Sequence, residues 1–214
     1  NGSHRKVVEP SDPGNDRLVV GKSHALDFAL NRIRVLYGDC SGRTDYDAYF
    51  VFDADNVLER DFVSRMNETF SEGKDIVTCY RDSKNYGDNW ISAGYGLWFL
   101  RESRYLNGAR SRIGASCGVS GTGFLFSRAV LEGQGGGWPF HLLTEDIEFT
   151  IENVTAGRRV GYCPEAVLYD EQPVRFKQFP REGIDRRGAD AAQSAAAQPR
   201  LDMPLQDRPV FDVA

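Results

Sequence analysis

Apolar residues along the chain alternate between short unbroken runs and stretches where they recur every three or four positions. Leu26, Ala29, Leu30 and Ile33 share one helical face, which predicts a helix opening after Gly21-Lys22 and stopping at Gly38. Beyond a polar loop over 38–47, Ala48-Tyr49-Phe50-Val51-Phe52 is apolar throughout. It is too short for a helix and predicts a strand covered on both faces, as in a parallel sheet. Phe62, Val63, Met66 and Phe70 predict a helix ended by Gly73, and Ile76–Tyr80 a further strand. Residues 85–116 mix glycines, aromatics and basic residues, and part of this stretch is expected to be helical. Phe124-Leu125-Phe126 predicts a short strand after the Gly121-Thr122-Gly123 turn, with Ser127 placed to cap a brief helix. Thr144 is the expected N-cap of a helix whose Ile147, Ile151 and Val154 share a face and which Gly157 ends. Val160–Cys163 and Val167–Tyr169 predict two closing strands.

Strands alternating with helices imply an α/β sheet, and ligands in such sheets bind at the carboxyl ends of strands. The pattern extends to about residue 180. Residues 181–214, rich in Ala, Gln, Asp, Arg and Pro, lose all apolar periodicity, so disorder is expected there. With 214 residues, 41% of them hydrophobic, the chain suits one α/β domain over 1–180 followed by that tail. The formal net charge of -5, with no dense Lys/Arg run, disfavours a nucleic-acid partner. Cys40, Cys79, Cys117 and Cys163 lie far apart with no Cys-x-x-Cys pair, and are expected to be reduced and packed. Asn67-Glu68-Thr69 and Asn153-Val154-Thr155 match glycosylation triplets and are expected to be chance matches. No apolar stretch is long enough to span a bilayer, and a cytoplasmic, soluble domain is expected.

Candidate chemistry centres on two acidic triplets. Asp53-Ala54-Asp55 leaves the end of the buried strand, and in extended chain residues i and i+2 point to one side. Such a pair suits a hard divalent cation, Mg²⁺ or Mn²⁺, completed by substrate phosphates. It would neutralise charge on a leaving diphosphate. The same residues allow a second chemistry: Phe52-Asp53-Ala54-Asp55-Asn56-Val57-Leu58 resembles the first motif of haloacid-dehalogenase-like phosphatases, with Asp53 as nucleophile and Asp55 as general acid. Thr144-Glu145-Asp146 opens a helix, where acids commonly serve as partners of the helix dipole. The preceding Gly135-Gly136-Gly137-Trp138-Pro139 turn favours a binding-site loop, in which one acid is a base for an acceptor hydroxyl.

The ordered set resembles family 2 glycosyltransferases, the group of cellulose, chitin, hyaluronan and poly-N-acetylglucosamine synthases. The matching stretches are Gly21-Lys22-Ser23-His24-Ala25-Leu26-Asp27, Phe52-Asp53-Ala54-Asp55, Gly121-Thr122-Gly123-Phe124-Leu125-Phe126-Ser127-Arg128, and Gly136-Gly137-Trp138 through Thr144-Glu145-Asp146. They cover about residues 7–178. The resemblance implies a GT-A type fold with a mixed, mostly parallel sheet flanked by helices. It also implies an inverting mechanism, a UDP-sugar donor and a glycan or lipid-linked acceptor. By the same resemblance Asp53 contacts the nucleotide and the metal, Asp55 the metal, and Asp146 is the base. Gly121, Thr122 and Glu145 lie near the acceptor, Trp138 is either a sugar-stacking platform or a core residue, and Lys22 lies near the donor. Two departures stand out. The family's first strand-helix-strand unit has no counterpart here. Its Gln-x-x-Arg-Trp motif survives as Gln178-Phe179-Pro180-Arg181-Glu182, with Glu in place of Trp and a helix-breaking Pro180. The expectation is a fragment truncated at both ends with an altered tail, impaired activity and an exposed sheet edge. Full-length relatives are expected to be membrane-embedded at the cytoplasmic face.

Overall fold

The computed structural model describes residues 22–39, 46–140 and 144–175. Gly21, Cys40, His141, Gln178, Arg181 and the tail over 181–214 lie outside the described residues. Five strands form one sheet: β1 (Ala48–Val51), β2 (Val57–Leu58), β3 (Ile76–Ser83), β4 (Phe124–Ser127) and β5 (Val160–Asp170), in spatial order β1-β4-β3-β5-β2. Helices α1 (Lys22–Tyr37), α2 (Phe62–Ser71), α3 (Trp90–Leu100), α4 (Gly108–Arg112), α5 (Arg128–Gly133) and α6 (Glu145–Thr155) accompany it. A π-helical segment, Arg101–Asn107, joins α3 to α4. Among the described residues no helix is long and apolar enough to cross a membrane.

The sheet is mixed, as expected, but not mostly parallel. Among the described pairings only β3–β5 is parallel, while β1–β4, β3–β4 and β2–β5 are antiparallel. The unbroken apolar run at 48–52 reports burial on two faces, not the direction of its neighbour. Tyr49 and Val51 enter one core cluster with Phe124, Phe126, Trp138 and Phe149. Ala48, Phe50 and Phe52 pack against the other, built on Phe62, Met66, Leu125 and Leu168. The alternating pleat feeds two cores because layers cover both sheet faces. β1 is itself an edge strand of the described sheet.

The two closing strands are one strand. In β5 the pairing passes from Cys79↔Cys163 to Tyr80↔Val167, so Pro164, Glu165 and Ala166 bulge out of register. Proline lacks the N–H that a ladder needs, and the strand yields there without ending. Within 85–116, Asn89 caps α3: its side chain accepts from the Ile91 and Ser92 N–H groups and Ser92 bonds back to it in a capping box. The Ser127 side chain accepts from Val130 N at 3.3 Å and caps α5 as expected. Thr144 takes the N-cap position of α6 but makes no side-chain cap bond; its carbonyl receives Ile147 N and Glu148 N, both at 3.1 Å.

Cys79, Cys117 and Cys163 are free and buried. Burial pushes the Cys79 thiol up to about 12 and the Cys117 thiol up to about 11, so neither supplies a thiolate nucleophile near neutrality. Asn153 is buried, with its side chain bonded to Phe149 O and by Arg158, which agrees with a chance glycosylation match.

Candidate active site

Four separated stretches meet beyond the ends of β1 and β4. The chain leaves β1 through Asp53-Ala54-Asp55-Asn56, where Asn56 N donates to Asp53 O at 3.1 Å. This is a tight turn, so the extended-strand geometry expected for Asp53 and Asp55 does not apply. Asp53 is half-buried and faces inward, while Asp55 is exposed at the turn. The turn is secured from within. Asp53 N donates to Asn56 Oδ1 and to Thr122 Oγ1, each at 2.9 Å, and the Thr122 hydroxyl donates to Asn56 Oδ1 at 2.5 Å. Lys84 Nζ adds a strut, donating to Asp55 O at 2.5 Å.

Lys22, in the first turn of α1, donates from Nζ to Asp53 Oδ1 at 2.5 Å and also to Gly121 O. One ammonium thus joins the acidic turn to the Gly-Thr-Gly turn. Gly121 and Gly123 both hold positive φ, +67° and +69°, a region glycine enters at little cost. Gly123 N donates to Val51 O at 2.9 Å, stitching the turn to the end of β1. On the far side of Gly121 lies α6: a Cβ built on Gly121 would stand 3.8 Å from Asp146 Oδ2. The start of α6 is anchored by Thr150, which donates to Asp146 O at 2.8 Å and accepts from Val119 N at 3.2 Å.

The electrostatics agree with this grouping. Burial first, and then the neighbouring Asp146, raise the Glu145 carboxyl above its usual value; Asp53 adds to the rise and Lys22 opposes it. Lys22, Asp53, Gly121, Thr122, Glu145 and Asp146 are therefore one locale. Among the described residues, no group of three or more His, Cys, Asp or Glu is placed to hold a metal ion. The site offers hard carboxylate oxygens in a small number. With Lys22 already bonded to Asp53 Oδ1, these few oxygens do not make an all-protein cage, and an ion here would depend on phosphate oxygens and water.

Trp138 does not belong to the site. The residue is 1% exposed, its ring stacked on Phe149 at 5.0 Å between centroids and edge-on to Phe140 at 5.1 Å. No face is open to a sugar, so of its two readings the core one holds and the stacking one does not. The glycine-rich turn before it is docked onto α1: Trp138 N donates to Asp27 Oδ1 at 2.8 Å, and Arg34 donates to Gly136 O at 3.1 Å. The turn drives an aromatic anchor into the core and orients α1, which carries Lys22.

Sequence reasoning missed a buried polar group behind the acidic turn. Asp170, the last residue of β5 and 5% exposed, accepts from Asn56 Nδ2 at 3.1 Å, Arg81 Nε at 3.0 Å and Gln172 Nε2 at 3.2 Å. The one available signal was a lone acid at the carboxyl end of a strand.

Comparison with known proteins points the same way. The family model described as "Glycosyltransferase like family 2" matches residues 15–183, more than half of the chain. A protein of Bacillus subtilis (strain 168) named "Probable glycosyltransferase YdaM" is 23% identical over 192 residues, covering 82% of this chain and 38% of its own length. The chain thus spans about two-fifths of that relative. The match favours the glycosyltransferase resemblance of the chain over the phosphatase one. With its α/β sheet and these converging turns, the chain belongs to glycosyltransferase-like family 2.

Proposed function

We propose that this domain transfers a sugar from a UDP-sugar to a hydroxyl of a glycan or lipid-linked acceptor, with inversion at the sugar carbon. The observation that carries the reading is the meeting of Lys22, Asp53, Gly121 and Asp146 from four distant parts of the chain. In the proposed step the Asp146 carboxylate takes the proton of the acceptor hydroxyl. The hydroxyl oxygen bonds to the anomeric carbon from the side opposite the diphosphate. The carbon–oxygen bond to the diphosphate breaks, and its electron pair leaves with UDP. Asp53, held by Lys22 and Thr122, lies on the donor side; Gly121, Thr122 and Glu145 border the acceptor side.

Asp55 and Asp53 would hold a Mg²⁺ or Mn²⁺ ion together with donor phosphate oxygens. When bound, such an ion supplies charge neutralisation for the leaving diphosphate. The place proposed for this work is the cytoplasmic side. Gln178 and Arg181 are assigned to the acceptor side on the family pattern alone. Calorimetry with UDP tests the donor half: binding is expected to require Mn²⁺ and to be lost in Asp55→Ala. Metal-dependent binding that survives this substitution would contradict the metal role.

A further inference from the structure

We propose that Asp170, held by Arg81, is a positioning residue for sugar transfer: through the Asn56 carboxamide it locks the donor-side turn at 53–56 to the acceptor-side turn at 120–122. The proposal rests on the transferase reading and deepens it.

The network runs in one direction from a buried base to both halves of the site. Asp170 closes β5, and its two carboxylate oxygens divide their partners. Oδ1 receives Asn56 Nδ2 at 3.1 Å. Oδ2 receives Arg81 Nε at 3.0 Å, Arg81 Nη2, and Gln172 Nε2 at 3.2 Å. The Arg81 and Asp170 side chains are only 14% and 7% exposed, so the pair is charge-compensated inside the protein. Arg81 is itself fixed from two more sides. Its Nη1 donates to Ser120 O at 3.1 Å, and its guanidinium lies 3.6 Å from the centre of the Phe99 ring.

Chemistry fixes the Asn56 amide in one orientation. Its NH₂ faces the Asp170 carboxylate, and its oxygen faces two donors, Asp53 N and the Thr122 hydroxyl. A flipped amide would set oxygen against carboxylate and NH₂ against N–H. Asp170 thereby selects the orientation that draws Asp53 N and Thr122 together. Arg81 pulls Ser120, two residues before Thr122, toward the same base. The acidic turn is tied to the end of β5 by a second route, since Lys84 N donates to Asp170 O at 2.9 Å and Lys84 Nζ to Asp55 O. Asp170 touches neither Lys22 nor Asp146 in any of these bonds. Its effect reaches the reacting groups only through the spacing of the two turns.

Two variants separate positioning from folding. Asp170→Asn keeps the side-chain size, but its single acceptor oxygen cannot serve Asn56 and Arg81 together. Asn56→Ala leaves the buried Arg81–Asp170 pair intact and removes the relay. The full protein is assayed by UDP release from a panel of UDP-hexoses with a mixture of free mono- and oligosaccharides as acceptors, and by calorimetry with UDP and Mn²⁺. Both variants are expected to bind UDP within about threefold of the parent while kcat falls by about 10- to 100-fold, the loss typical of removing an outer-shell partner or misplacing reacting groups. Transfer unchanged in both variants overturns the proposal, as does a fall in kcat matched by an equal fall in UDP affinity. A parent protein that neither binds UDP nor releases it from any donor overturns the transferase reading itself, and this proposal with it.

Discussion

Gly123 is the point where backbone conformation and core packing meet, and replacing it with alanine isolates their separate costs. Its φ of +69° lies in the left-handed region, and a Cβ there would sit 2.5 Å from Cys79 Sγ and 2.8 Å from Leu168 Cδ1. Both neighbours are buried, at 3% and 0% exposure, and have little room to retreat. Gly121, two residues earlier, has nearly the same φ of +67°, but its Cβ would meet nothing closer than Asp146 Oδ2 at 3.8 Å. Gly121→Ala therefore pays only the left-handed cost, about 1–2 kcal/mol. Gly123→Ala adds overpacking of about 1–3 kcal/mol, for a loss of about 2–5 kcal/mol against a domain stability of about 5–15 kcal/mol. Urea denaturation followed by circular dichroism reads both, with the slope unchanged if only the midpoint moves. A double variant, Gly123→Ala with Cys79→Ala, is expected to lose less than the sum of its parts because the Sγ has gone. Equal stability of Gly121→Ala and Gly123→Ala would refute the packing reasoning.

The raised Glu145 carboxyl makes a pH prediction. Folding keeps its proton to higher pH than the unfolded chain does, so stability falls as pH rises from the ordinary value of 4.5 through the raised folded value. Glu145→Gln removes that ionisation, and thermal unfolding across pH is expected to show the variant gaining on the parent above this window and matching it below. Trp138→Phe is expected to cost about 1–3 kcal/mol through lost packing. Its acceptor KM should not change, because the Trp138 ring is buried and its Nε1 has no partner among the described residues. Asn89→Ala removes the capping box of α3 and the bond from Nδ2 to Val174 O, and a loss of about 0.5–2 kcal/mol in chemical denaturation is expected.

The helices and strands that bury one stripe or one run were legible in the sequence, because burial leaves a period. Leu26, Leu30 and Ile33 do line the core side of α1, and Phe62 and Met66 that of α2. Strand direction was not legible: covering layers on both faces produce the same apolar run at 48–52 whether the neighbour is parallel or antiparallel. The turn at 53–56 was hidden for a related reason, since two acids one residue apart look alike in a strand and in a turn. Trp138 shows the limit of composition, as a glycine-rich turn ending in an aromatic describes a binding loop and a core anchor equally well. The Asn56–Asp170 bond joins residues 114 positions apart, and no local pattern announces it. The two acidic triplets and the Gly-Thr-Gly turn were readable because their order along the chain, and not any one of them, matched a family.

Asp146 at Gly121 is the point on which the assignment turns. The most direct measurement compares UDP release from UDP-hexoses by the parent protein and by Asp146→Asn, with UDP binding in Mn²⁺ measured alongside. Loss of a general base predicts a variant that binds UDP as the parent does but turns over about 100- to 10,000-fold more slowly. A variant that turns over at the parent's rate would remove Asp146 from the chemistry and contradict the assignment.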